Sequence, residues 1–244
     1  MRDAKRVLPE LVKRSGLRRA KGRFLIDFWD FEQPYLGLCP GDSADLTDPD
    51  VTPLMIALQK NDYATARRLV AEGADANAAD QSGWTALMGA ALSPDPTTTR
   101  LLLGAGAHVN ASDKDSVTPL YIAVFNRNIA TASELINHGS DVNAIHKGNT
   151  FSEGPLGVAA RLSQPAVVKL LLEKGAEVNR ADPLGNTPLM LVARSNCPKA
   201  VEFLIAAGAE VNAKNPYDET ALGVAEQSEY ESVVRILKRR GAKR

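Results

Sequence analysis

Few residues in this chain are of a type that performs covalent or metal chemistry. Of the three histidines, His108 and His138 sit inside recurring glycine-containing phrases and His146 in an irregular connecting segment. No two of them share a helix at the spacing that a metal site needs. The two cysteines, Cys39 and Cys197, are far apart and have no His or second Cys at ligand spacing, so neither a disulfide framework nor a zinc site is indicated. Cys197, in the turn Asn196-Cys197-Pro198, would need a neighbouring base to act as a nucleophile. Nor does the sequence hold a glycine-rich phosphate loop, a Gly-x-Ser-x-Gly elbow or a His-Glu-x-x-His phrase. No catalytic residue, metal or cofactor is expected, and the chemistry of this chain should be that of a surface that binds.

The elements that build such a surface are written as repeats. The segments Thr52-Pro53-Leu54, Thr85-Ala86-Leu87, Thr118-Pro119-Leu120, Gly154-Pro155-Leu156, Thr187-Pro188-Leu189 and Thr220-Ala221-Leu222 begin 33, 33, 36, 33 and 33 residues apart. Gly73, Gly106, Gly139, Gly175, Gly208 and Gly241 keep the same beat, as do Asn77, Asn110, Asn143, Asn179 and Asn212. A Thr hydroxyl can cap a helix N-terminus, and Pro just after it occupies a position whose N–H would be unpaired anyway. A first helix is therefore expected at each start. Ala57, Ala90, Ala123, Ala159 and Ala225 allow close helix approach, with Val192 as the exception. Apolar stripes such as 167–172 and 201–205 predict a second helix, which the recurring glycine ends in a left-handed turn.

Such a unit cannot bury its own apolar face, and at least three must stack to make a core. At these residues the chain resembles the ankyrin-repeat family, over residues 51–244. The resemblance implies an all-α solenoid of six repeats, helix-turn-helix units joined by β-hairpin-like loops, that binds another protein. The His of the family's Thr-Pro-Leu-His phrase is missing throughout, its place taken by Met55, Met88, Tyr121, Gly157, Met190 and Gly223. Thioether or aromatic packing is expected to stand in for it. The fourth unit carries three extra residues somewhere in 145–153, where solenoids place loop insertions. The polar end Ile236–Arg240 suits a C-terminal cap.

Residues 1–50 form a separate segment. Met1 to Arg23 holds nine Lys/Arg against two Asp/Glu, and Phe24 to Asp50 holds seven acidic residues and no Lys or Arg. A short helix is expected to open at Leu8–Val12, and apolar residues from Phe24 to Leu36 to cap the first repeat. The alternatives are an arm that folds on a partner, or a basic patch (Lys13, Arg14, Arg18, Arg19, Lys21, Arg23) for nucleic acid, which would make the chain a nucleic-acid-associated regulator. Nucleic acid is not the favoured partner. No apolar run approaches the roughly 18 residues of a membrane span, so no membrane partner is expected. The cysteine usage points to the cytoplasm, with the nucleus as the alternative offered by the basic segment.

The family resemblance implies docking on the concave side, formed by hairpin tips and the ends of the first helices. Counting from each capping residue, the positions one, three and four before it and seven and eight after it should face the groove. They include Trp84, Leu92, Lys114, Asp115, Val117, Phe125, Phe151, Arg161, Leu162, Leu184, Arg194, Tyr217 and Glu219. Aromatic anchors flanked by charges are the composition of an interface. The expected function is protein binding as an adaptor or inhibitor, including an immunity-type inhibitor of a toxin or enzyme.

Overall fold

The computed structural model describes residues 19–20, 23–24, 50–146 and 153–243. The chain divides into two compact units, Met1–Asp45 and Leu46–Arg244, so the boundary expected at residue 50 falls just inside the second. Described in the first unit are two short antiparallel strands, β1 (Arg19–Ala20) and β2 (Arg23–Phe24). The helix expected at Leu8–Val12, the capping side chains from Phe24 to Leu36, and Phe151 lie outside the described residues.

The second unit contains, among the described residues, twelve helices in six pairs. They are α1 (Pro53–Gln59) with α2 (Tyr63–Ala71), α3 (Ala86–Ala91) with α4 (Thr97–Gly104), and α5 (Pro119–Phe125) with α6 (Ile129–Asn137). The pairs α7 (Pro155–Arg161) with α8 (Pro165–Glu173), α9 (Pro188–Arg194) with α10 (Pro198–Ala206), and α11 (Ala221–Gln227) with α12 (Glu231–Arg239) complete the stack. First helices pack on first helices and second on second, each pair also packing on itself, so two helical layers run along the unit.

Every first helix starts where the cap residue predicts. The hydroxyls of Thr52, Thr118, Thr187 and Thr220 accept from the amide three residues on, at 3.1–3.4 Å. Thr85 precedes α3 without that bond, and its buried hydroxyl finds no partner among the described residues. Each second helix ends at the recurring glycine. Gly208, with φ 93°, lets the next amide turn back so that Ala209 N–H donates to the Leu204 carbonyl at 2.9 Å, satisfying an end of α10. The small residues do what their spacing predicted: Ala90, Ala123, Ala159 and Ala225 are sealed in the core, as is Val192 in the repeat that breaks the pattern. Met55, Met88, Tyr121 and Met190 are buried at the position of the missing histidine, and the Tyr121 ring lies 4.9 Å from that of His146.

The recurring asparagines receive a role that their spacing did not reveal. Asn77 donates to the Gly106 carbonyl and accepts from the His108 amide, 3.0 and 2.7 Å away. Asn110, Asn143, Asn179 and Asn212 repeat the pair of bonds on the following repeat's glycine carbonyl and the amide two residues beyond. A side-chain amide can give and accept at once, so one Asn staples each repeat to the next. The staple from Asn143 is intact although its following repeat carries the three-residue insertion.

Candidate protein-binding surface

The hairpins that carry the expected surface are each organised by one polar residue five before the cap. The Asp80 carboxylate accepts from the amides of Ser82 and Trp84, at 2.8 and 2.9 Å. Asp113 does the same for Asp115 and Val117, Asp182 for Leu184 and Asn186, and Asn215 for Tyr217 and Glu219. These turns therefore fix the backbone at two of the three hairpin positions expected to meet a partner, those one and three before the cap. Asp80, Asp113, Asp182 and Asn215 keep the repeat beat, a signal present in the sequence and missed. Burial pushes the Asp113 carboxyl above its ordinary value against the pull of its amide bonds.

Partial exposure is what the apolar row shows. Trp84, Leu92, Phe125 and Leu162 pack against the core with one side left open, and Leu184 is likewise half-buried. Lys114 and Asp115 are exposed at a hairpin tip, and Tyr217 is 53% exposed. Val117 requires correction: at 3% exposure it belongs to the core, because its short branched side chain does not reach past the hairpin as the larger Trp84 ring does in the same kind of turn. It offers nothing to a partner.

The charged members are paired. Arg194 reaches Glu219 in the next repeat, 3.3 Å away, and Asn215 donates to the same carboxylate oxygen at 2.9 Å. Arg161 donates through Nε and a terminal nitrogen to Oε1 of Glu153, at 3.0 and 2.5 Å. Glu153, one residue before its cap like Trp84 and Glu219, is 3% exposed and was not singled out from the sequence. Burial raises its carboxyl above the ordinary value, Arg161 opposes that, and Asp182 adds to it. Beside it a cavity of about 20 Å³ opens where Gly157 stands in place of the Met or Tyr found in four of the other repeats. The apolar part of its wall comes from Val142, Leu156 and Leu191.

His146 does structural work: its Nδ1 lies 3.0 Å from the Asp115 carbonyl and its ring packs on Tyr121. Cys197 is half-buried at the start of α10. Among the described residues no helix is long and apolar enough to cross a membrane.

A family model described as ankyrin repeats in three copies matches residues 34–113, 54–146, 88–182 and 156–243. The chain belongs to the ankyrin-repeat family. It is a protein-interaction module: ankyrin repeats mediate protein–protein contacts. Among solved structures it is similar to a chain in the complex of the Bd0816 predatory endopeptidase from Bdellovibrio bacteriovorus with immunity protein Bd3460. The two are 30% identical, the match covers 78% of this chain and 98% of that one, and the TM-score is 0.69. No curated protein matches the sequence.

Proposed function

We propose that this chain is an immunity-type inhibitor that docks on a partner enzyme along its hairpins and the ends of α3, α5, α7 and α9. It acts by occupancy and not by turnover. The observation that carries the reading is the half-open apolar row, with Trp84 before the second repeat's cap and Leu92, Phe125 and Leu162 at the ends of three consecutive first helices, flanked by paired charges. Completing the burial of a large apolar side chain is worth roughly 1 kcal/mol, so four such anchors together change the dissociation constant by a factor of about a thousand. The likeness to the endopeptidase–immunity protein complex supports an enzyme as the partner.

The test compares wild type with a Trp84→Glu, Phe125→Glu variant whose melting is unchanged. Wild type should capture an enzyme from extract of the native cells and, once both are purified, suppress its turnover; the variant should do neither. Equal capture and inhibition by both proteins would overturn the reading.

A further inference from the structure

The cavity beside Gly157 lies where four of the other repeats place a bulky side chain; the sixth also has glycine there, Gly223, but its Glu219 stays near the surface. Met55, Met88, Tyr121 and Met190 fill that position with a side chain, and all four are buried. In the fourth repeat glycine leaves it empty. A Cβ on Gly157 would stand 3.1 Å from Oε2 of Glu153, so the glycine is what admits this carboxylate. Both hydrogen bonds from Arg161 go to Oε1, and Oε2 takes none among the described residues. A carboxylate 97% removed from solvent thus holds an unused acceptor at the wall of a cavity.

Its surroundings specify what would satisfy it. The wall carries three carboxylates, Glu153, Glu177 and Asp182. Arg161 pairs with the first and Arg180 with the second at 2.8 Å, while Asp182 spends its oxygens on amide donors from Leu184 and Asn186. Three negative charges against two positive leave room for one cation. Size chooses among cations. A cavity of about 20 Å³ holds one water-sized group, for which roughly 10–15 Å³ suffices, and an ammonium fits where a planar guanidinium does not.

We infer that this cavity is a specificity pocket for a lysine of the partner protein, whose ammonium donates to Oε2 of Glu153 while its methylene stem lies on the apolar wall. The inference rests on the proposed docking surface, because Arg161, which holds Glu153, occupies the same first-helix position as Leu92 and Phe125. It assigns the one point on that surface where the partner's residue type is prescribed.

The test is separable from the search for a partner. The full chain, labelled with nitrogen-15, is titrated with n-butylammonium, n-butylguanidinium and n-butanol at constant chloride. Butylammonium should give saturable shifts of the Gly157 and Asp182 amides, with the other two probes giving none. Asp182→Asn removes a charge while keeping the turn, as Asn215 does in the last hairpin, and should weaken binding roughly fivefold. Glu153→Gln, folded by its amide spectrum, should abolish it. Absence of saturable shifts, equal response to all three probes, or unchanged binding in Asp182→Asn would overturn the pocket. None of these results bears on whether Trp84 and Phe125 capture an enzyme.

Discussion

The fourth and sixth repeats carry the same two residues in the same register, Glu153 with Gly157 and Glu219 with Gly223, and put them to opposite uses. In the fourth repeat the carboxylate folds inward beside the glycine, and its side chain is 3% exposed; in the sixth it stays near the surface at 32%. The origin of the arginine decides. Arg161 comes from the same repeat and holds Glu153 over α7, whereas the sixth repeat has Gln227 at that position, and Glu219 is claimed from behind by Arg194 and from its own hairpin by Asn215. One pair is thus local and sealed, the other ties two repeats together in partial contact with water. Burial multiplies the consequence of every change in the first and mutes it in the second.

The sharpest way to break the comparison is to remove each arginine. Arg161→Met strands a buried carboxylate, and a loss of about 3–5 kcal/mol in unfolding free energy is expected. Arg194→Met leaves Glu219 its Asn215 donor and solvent, and should cost less than about 1 kcal/mol. Urea unfolding followed by circular dichroism measures both. Similar losses would mean that the two carboxylates are equally accessible in solution.

A methyl group probes the same difference from the other side. On Gly157 it would press against Glu153 at 3.1 and 3.3 Å, while on Gly223 its nearest contact is the Thr220 hydroxyl at 3.5 Å, an ordinary distance. Gly157→Ala should therefore destabilise by about 1–3 kcal/mol through overpacking. Gly223→Ala should be neutral or gain up to about 1 kcal/mol, since alanine is the better helix former and its φ is not strained. The order of the two unfolding midpoints relative to wild type is the readout, and a stabilised Gly157→Ala protein would show that Glu153 is free to swing away.

How much of this could be read from residue types alone varied with how local the cause is. Helix starts, helix ends and repeat length depend on Thr-Pro, Gly and apolar spacing within a few residues, and these were legible. Trp84 and Phe125 were legible as well, because the register alone places them at the surface. Val117 was misread, since register cannot tell that a small side chain at the position of Trp84 stays beneath the hairpin. Glu153 was invisible for a stronger reason: a lone Glu before a helix looks like surface charge. Only the juxtaposition of Gly157, Arg161 and a hairpin 29 residues on at Asp182 makes it a buried group. The asparagine beat was seen without its meaning, because both of its partners lie in the next repeat.

The same two repeats differ once more, at the face each turns toward a following repeat. Where the fourth has Ala160 and Leu172, the sixth has Glu226 and Lys238, and these two join across α11 and α12 at 2.9 Å. Ala160 is fully buried where the next repeat packs; Glu226 and Lys238 place charge on the matching face of the sixth repeat. With Lys238 58% exposed, the pair itself contributes little, and Glu226→Ala with Lys238→Ile should change unfolding free energy by less than about 1 kcal/mol. What should change is association. The double variant recreates the apolar face of an internal repeat, and an open solenoid end of that kind is a template for a second molecule. Sedimentation velocity should show the wild type unchanged with concentration and the variant shifting to larger species. If the variant sediments like wild type, the ion pair is incidental to keeping this face of the sixth repeat from self-association.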